Sequence, residues 1–369
     1  MKTRVWLEIN LKTLRENFGN IKSSVSPCGV IAVLKANAYG LGVRDIAKTL
    51  ASAGADGFGV AELNEALMLN DAGVPVQILG GVLPEEIPCA VSEGIILAIT
   101  DPEIAKCISD EAVKQKRIAE CQFLVDTGMG RLGILASEAF GVIKNSVALP
   151  NLNFTGIYSH FPMAYMAASE YTLNQVSQFL KLLEQLKSSG IVFKKIHIAN
   201  SDAINNFPVT YKSPFNFVRT GINLHGSFDS QGQHVLNLKS ILTLKTRLVS
   251  VRNLPAGMSL GYGCTYTLPV NMKVGIVSAG YADGLPLALS NRGYVIIRGK
   301  PCHILGRISM DYTTVSLEQV QDAERGDEVT CLGGEGPLAI TVENWAQLKG
   351  THPYEIICSF GTRVNRICV

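Results

Sequence analysis

Val33-Leu34-Lys35-Ala36-Asn37-Ala38-Tyr39-Gly40-Leu41-Gly42 carries a lysine out of an apolar run and straight into a turn of small residues. Lysine is rarely buried without a partner. A lysine at a strand end either snorkels to solvent on its aliphatic stem or, with its amine desolvated at the mouth of a barrel, forms a Schiff base with a carbonyl cofactor. The decapeptide alone admits both readings, and the chain around it supplies the architecture. From about residue 30 to residue 226, short apolar runs rich in Val and Ile alternate with longer amphipathic stretches, as strands alternate with helices. Strands are expected over 30–36, 57–61, 76–80, 95–100, 121–126, 154–160, 195–199 and 217–222, with helices over 43–53, 62–72, 101–115, 137–147 and 167–189. Eight such units in roughly 200 residues fit a (β/α)8 barrel of the TIM type better than the alternative, an open doubly wound sheet.

After about residue 231 the character changes. Runs over 236–251, 273–279, 294–297, 302–308, 313–315 and 328–332 are β-rich and are broken by turns such as Arg298-Gly299-Lys300 and Gly333-Gly334-Glu335-Gly336. The opening stretch 3–10 alternates and precedes a first helix over 11–22, so it is expected to pair with this distant sheet. The division is therefore a barrel over 10–230 and a mainly β C-terminal domain made of 1–9 with 231–369.

Composition narrows the function. The chain has 369 residues, 47% of them hydrophobic, which is ample for a large core. A formal charge of +2, with both signs mixed along the chain, gives no electrostatic case for nucleic acid or for an anionic membrane. No segment reaches the roughly 18 uninterrupted apolar residues of a membrane span, and the N-terminus has no apolar signal core; a cytoplasmic location is the expectation. Nine cysteines lie scattered without a close pair, and the six histidines fall singly, so neither a disulfide framework nor a metal site is expected.

In a (β/α)8 barrel the chemistry sits at the carboxyl ends of the strands, often with a phosphate near the last two. Lys35 and Tyr39 follow the first strand, Asp126-Thr127-Gly128-Met129-Gly130-Arg131-Leu132-Gly133 the fifth, and His160 ends the sixth. Asn200-Ser201 follows the seventh, and Arg219-Thr220-Gly221-Ile222 lies on and after the eighth. Together they place an amine nucleophile, a hydroxyl, backbone N–H groups beside a glycine, and two guanidiniums on one rim.

These residues carry a resemblance to the alanine racemases, fold type III pyridoxal-phosphate enzymes. The blocks are VLKANAYG (33–40), VDTGMGRLG (125–133), HIANSDA (197–203), VRTGI (218–222), LGYGCTYT (260–267), GYADG (280–284), GRISMD (306–311) and PYEIICSFGTRVNRI (353–367), in order over nearly the whole chain. The resemblance implies a barrel followed by a β domain in a head-to-tail homodimer with shared active sites, a small amino-acid substrate and pyridoxal 5'-phosphate as cofactor. It makes Lys35 the Schiff-base lysine and one of two racemisation bases, and Tyr262, reaching into the mouth of the partner's barrel, the other. It assigns the phosphate to Tyr39, Ser201, Tyr354 and the backbone of Gly221 and Ile222, with Asn200 beside them. Arg219 would face the pyridine nitrogen and Arg131 the phenolic oxygen, while His160 would link Arg219 with Tyr262. Arg131 and Met310 would position the substrate carboxylate, and Tyr281 and Arg307 would line the entrance. Two bases on opposite faces suit a reaction that removes the α-proton from one face and returns one to the other.

Other readings stay open for single residues. Tyr262 and Tyr266 also suit strands, Asp283 reads as a turn or ion-pair residue, and His197 and His225 read as satisfied structural histidines. Four positions depart from the family's usual pattern: Leu124 replaces a lysine that some members carbamylate, Leu41 a histidine, Leu287 an arginine and Tyr165 an aspartate. If Arg131 is buried, something other than a carbamate must satisfy it. Apolar replacements near the entrance leave room for a broad-specificity or serine/lysine-type racemase. A non-catalytic pyridoxal-phosphate carrier is a further alternative, although a single-barrel carrier needs neither the β domain nor Tyr262.

Overall fold

The structure, a computed structural model, describes residues 4–229 and 231–369; Thr3, at the start of the expected first strand, and the barrel's expected last residue, 230, lie outside the described residues. Eight parallel strands run in the spatial order Val76–Ile78, Gly57–Val60, Gly29–Val33, Phe217–Thr220, Lys195–His197, Leu152–Tyr158, Ala119–Asp126 and Leu97–Ile99. A parallel bridge between Gln77 and Ile96 joins the two ends of that series, so the sheet closes into a (β/α)8-like barrel. Closure leaves the strands no free edge and points alternate side chains into the barrel's centre.

Local sequence explains the helices that cover it. Asn10 caps Leu11–Ser24 by accepting from Thr13 N at 2.8 Å, and Asp101 caps Pro102–Lys114 by accepting from Ile104 N at 2.8 Å, with Pro102 at the first helical position where it costs no hydrogen bond. Ser169 does the same for Glu170–Ser188. Among the described residues no helix is long and apolar enough to cross a membrane.

The C-terminal domain is mainly β. Its long strand Leu242–Leu254 pairs antiparallel first with Glu328–Leu332 and Trp6–Ile9 and then, from Leu248 and across an irregularity between Leu248 and Ser250, with Met272–Val277. Such a break in register lets one strand serve two sheets. Trp6–Ile9 is also flanked by Asn365–Cys368, so the opening and closing segments of the chain meet side by side.

Several expected elements are shorter than the pattern suggested. The first barrel strand ends at Val33 because the chain turns left-handed after Lys35. The helix expected over 62–72 is only Leu63–Leu67, since the run Met68 to Gly73 breaks into turns. Helices Val342–Lys349 and Pro353–Cys358 were not anticipated in the β domain, although Thr341 and Asn344 form a capping box at the start of the first.

Leu7 is 0% exposed at the centre of the strand that joins the chain's two ends. Leu7→Ala is expected to lower stability by about 2–5 kcal/mol, the usual cost of emptying a core leucine site. A urea midpoint that does not move would show that this strand is dispensable.

Candidate active site

Four consecutive non-glycine residues, Ala36 to Tyr39, hold left-handed helical dihedrals, with φ between 52° and 59°. For L-residues this costs roughly 1–2 kcal/mol each, so the turn has to be held from outside. Glu65 accepts from Ala36 N with one carboxylate oxygen and from Ala61 N at 2.9 Å with the other. Asn37 Oδ1 accepts from Val43 N at 2.9 Å. Arg366, from the closing strand of the β domain, donates to Gly40 O at 3.0 Å and also to the carbonyls of Phe360, Gly361 and Val364. The turn thus sets Lys35 at the open barrel mouth and drives Tyr39 inward. The Lys35 amine is held below its ordinary value, first by desolvation and then by the Arg131 guanidinium.

Tyr39 lies against a cradle at the ends of the seventh and eighth strands. Its hydroxyl sits 2.0 Å from where a Cβ on Gly221 would be, so only glycine fits there. Gly221 N donates to Ser201 Oγ at 3.0 Å, and Ile222 opens a 3₁₀ turn whose first N–H groups have no partner within the turn. Asn200 caps the helix Ser201–Asn206 through Ala203 N at 2.9 Å. The Tyr354 ring lies 6.1 Å from that of Tyr39, and burial holds both phenols protonated, with pKa values above their ordinary value.

Arg219 is 4% exposed, and no carboxylate pairs with it among the described residues. Its Nη1 donates to His197 Nδ1 at 2.6 Å; its Nη2 donates to Ser159 O at 2.6 Å and to His160 Nδ1 at 3.2 Å. Its Nε–H has no acceptor among the described residues. Burial lowers the guanidinium to about 10, still charged at neutral pH. Burial and the adjacent Arg219 charge push both histidines well below their ordinary value, so both rings are neutral.

Asp126 shapes the loop that carries Arg131, accepting from the backbone N–H groups of Gly128, Met129 and Gly130 at 2.7–2.9 Å. Arg131 itself is exposed, so the demand that a buried guanidinium would make does not arise. Leu124 points into the barrel and packs with Leu79, Ala98 and Tyr158. Leu41 is buried within the core, Tyr165 is half-buried, and Leu287 is 41% exposed on the β domain.

The remaining predicted residues are not brought to this mouth within the chain. Tyr262 is 72% exposed, Met310 51% and Tyr281 46%, and Arg307 is exposed beside them on the β domain. They share one surface: a Cβ on Gly261 would lie 3.1 Å from Arg307 O, and Tyr281 N and Ala282 N donate to Ser309 O and Met310 O. Arg363 fastens it from beneath, pairing with buried Asp283 at 2.7 Å and with Asp311 at 2.7 Å. Asp283 is thus an ion-pair residue.

Two family models match in succession, the alanine racemase N-terminal domain over residues 9–228 and the alanine racemase C-terminal domain over 241–368. The chain belongs to the alanine racemase family. It is 37% identical to the alanine racemase of Desulforamulus reducens over 100% of both chains, and 36% identical to that of Clostridium perfringens, covering 98% of this chain and 95% of that one. Among solved structures, the alanine racemase of Clostridium difficile 630 superposes with a TM-score of 0.93 at 30% identity, covering 100% of this chain and 96% of that one. The Bartonella henselae alanine racemase, solved with covalently bound pyridoxal phosphate, matches with a TM-score of 0.89 at 30% identity over 100% of both chains. Membership makes the chain a racemase of the fold type III class, and its second domain separates it from single-barrel carriers.

Three features of this racemase site were not legible as functional. His197 is not a bystander but ligates Arg219 and stacks on Tyr158 with ring centroids 4.8 Å apart. His225 reads from the sequence as satisfied, yet neither ring nitrogen has a partner among the described residues; its ring meets Tyr39 edge-on at 5.0 Å, and burial lowers it to about 3. Asp202, whose charge bears on both Tyr39 and Tyr354, is raised to about 7 by burial and by Asp229.

Asp202 gives a pH prediction. Its carboxyl binds a proton more tightly folded than unfolded, so its contribution to stability is intact below about pH 4 and is lost as pH rises through about 7. Asp202→Asn should flatten that part of the stability profile; urea titrations at pH 5 and pH 8 that show the same decline in both proteins would reject the assignment.

Proposed function

We infer that this chain interconverts L-alanine and D-alanine, supplying D-alanine for peptidoglycan, through two bases, Lys35 and Tyr262, that meet only when two copies assemble head to tail. The observation that carries this reading is the separation of the two halves of the machinery. The barrel mouth holds a lysine amine with a lowered proton affinity beside a polar cradle, whereas Tyr262 stands 72% exposed on the other domain. A base left in solvent on one chain is of use to the mouth of another.

The residues present fit pyridoxal 5'-phosphate. The Tyr39 and Tyr354 hydroxyls, Ser201 Oγ, the N–H of Ile222 and that of Gly221, which a phosphate would share with Ser201 Oγ, would form a neutral donor set at a glycine that leaves room for close approach, the chemistry a phosphate requires. Asn200 keeps Ser201 in place by capping its helix. When bound, the cofactor supplies the carbonyl for Lys35 and the electron sink that acidifies the substrate's α-proton. Arg219, its Nη groups already committed, would have its Nε–H left for the pyridine nitrogen. A guanidinium there keeps its own proton, which leaves that nitrogen unprotonated and limits the sink.

Lys35, lowered by desolvation and by Arg131, can exist as a free amine and so accept a proton on one face. Tyr262 would serve the opposite face, with His160 connecting it to Arg219. Arg131 would hold the phenolic oxygen and, with Met310, the substrate carboxylate; Tyr281 and Arg307 would line the way in. A second reading, a broader amino-acid specificity, is favoured by Leu287, which with Thr265, Asn291 and Arg307 lines a cleft of about 340 Å³ on the same domain. Comparing kcat/KM for L-alanine and L-serine separates the two.

Incubation with L-alanine in deuterated water should give α-deuterium exchange together with loss of optical activity; cofactor binding without either would reject the racemase reading. Lys35→Ala should abolish the Schiff-base absorbance. Tyr262→Phe should slow proton removal from L-alanine more than from D-alanine, by the roughly 10²–10⁴-fold usual for losing an acid–base group. Equal losses in both directions would argue against a division between two bases. Dilution that yields monomers by sedimentation should remove activity, and a fully active monomer would exclude a shared site.

A further inference from the structure

Beneath the mouth, the barrel interior carries a polar chain that the reaction itself does not touch. Arg219 has only N–H groups to offer, so its 2.6 Å contact requires an unprotonated, accepting Nδ1 on His197. The neutral ring then carries its proton on Nε2, and Nε2 lies 2.8 Å from Gln122 Oε1. Gln122 is completely buried and sits on the strand Ala119–Asp126, one inward-facing layer below Leu124. Its Cα partner on the adjacent strand is Gly156, where a Cβ would come within 2.7 Å of the same Oε1. The barrel therefore leaves out a side chain to make room for this amide.

The amide is not there for its own satisfaction. Gln122 Nε2 is buried without a partner among the described residues, an arrangement that costs free energy. Turning the amide over would set N–H against N–H at His197. The orphaned donor is what remains once the oxygen is reserved for histidine.

We propose that Gln122 is a positioning residue for racemisation: it fixes the proton on His197 Nε2, and as a neutral acceptor it leaves the Arg219 charge uncompensated. An apolar residue would leave Nε2–H without an acceptor and free the ring to turn away from Arg219. A carboxylate would accept the same hydrogen bond but would add a negative charge two links from Arg219, weakening the positive field at the pyridine nitrogen. Only an uncharged acceptor keeps both the tautomer and the field. This rests on the racemase reading above.

The test uses the full-length holoprotein labelled with ¹⁵N-histidine. In the wild type, His197 should show a protonated Nε2 and an unprotonated Nδ1; a protonated Nδ1 would overturn the proposal without any variant. Gln122→Glu should keep that tautomer while lowering the number of racemisation events per abortive transamination. In the abortive event a proton goes to the cofactor carbon instead of the substrate α-carbon, and water then releases pyruvate and leaves the amino group on the cofactor. Pyruvate formed per racemisation should rise about tenfold, the response to a one-unit change at the pyridine nitrogen. A change below about twofold in a folded, cofactor-loaded Gln122→Glu protein would overturn the role of neutrality. Gln122→Leu should instead broaden or lose the His197 Nε2–H signal, and an unchanged signal would contradict the lock. Failure of the racemase reading is seen separately, as absence of α-proton exchange in the wild type.

Discussion

A guanidinium buried in the barrel without a carboxylate is the constraint around which the site is arranged. An isolated buried ion is costly unless dipoles replace its water. Here they come from the ends of two neighbouring strands: Ser159 O from one, His197 O and Ile198 O from the next, and from each an imidazole nitrogen, His160 and His197, whose ring burial keeps neutral. Tyr158 adds its ring face, 5.3 Å from the guanidinium carbon. Every partner is an uncharged acceptor, so Arg219 is held in place without being neutralised. A carboxylate in any of these positions would give a more stable pair and a weaker field above it.

The same economy governs the lysine turn. Four left-handed residues store strain at the point where the Lys35 amine leaves its strand. The restraint comes from Glu65 on the barrel side and from Arg366 on the β domain, so the geometry of Lys35 depends on both domains of its own chain. Tyr39 is carried inward by that turn and fills the space that Gly221 leaves open. Strand, turn, cradle and closing strand are consequently one mechanical unit, and the long sequence separation between residues 40 and 366 is spanned by a single hydrogen bond.

The barrel was legible in the sequence because eight apolar runs buried on both faces leave a strong periodic trace, and the site because its residues follow strand ends. What the sequence hid has a common cause. The left-handed turn reads as a run of ordinary small residues, since Ala36, Asn37 and Ala38 carry no glycine signal. His197 and Gln122 look like core polar residues until the closed barrel sets them in line with Arg219. Arg363 lies within a recognisable block, yet its two carboxylate partners come from segments 52 and 80 residues away. Periodicity records which face a residue occupies, whereas these interactions depend on which strands become neighbours.

Leu124 shows how a departure from family pattern can be absorbed. A charged group there would lie among Leu79, Ala98 and Tyr158, so leucine replaces a solvation problem with apolar contact. The Arg131 guanidinium, which such a group would orient, remains exposed and needs no buried partner. Its charge then bears directly on Lys35, where it acts in the same direction as desolvation and opposes protonation of the amine. A positively charged rim is also the correct complement to a substrate that arrives as a carboxylate. With leucine at position 124, no buried anion lies beneath Arg131, and the counter-charge to its guanidinium is left to solvent and to whatever anion enters the mouth.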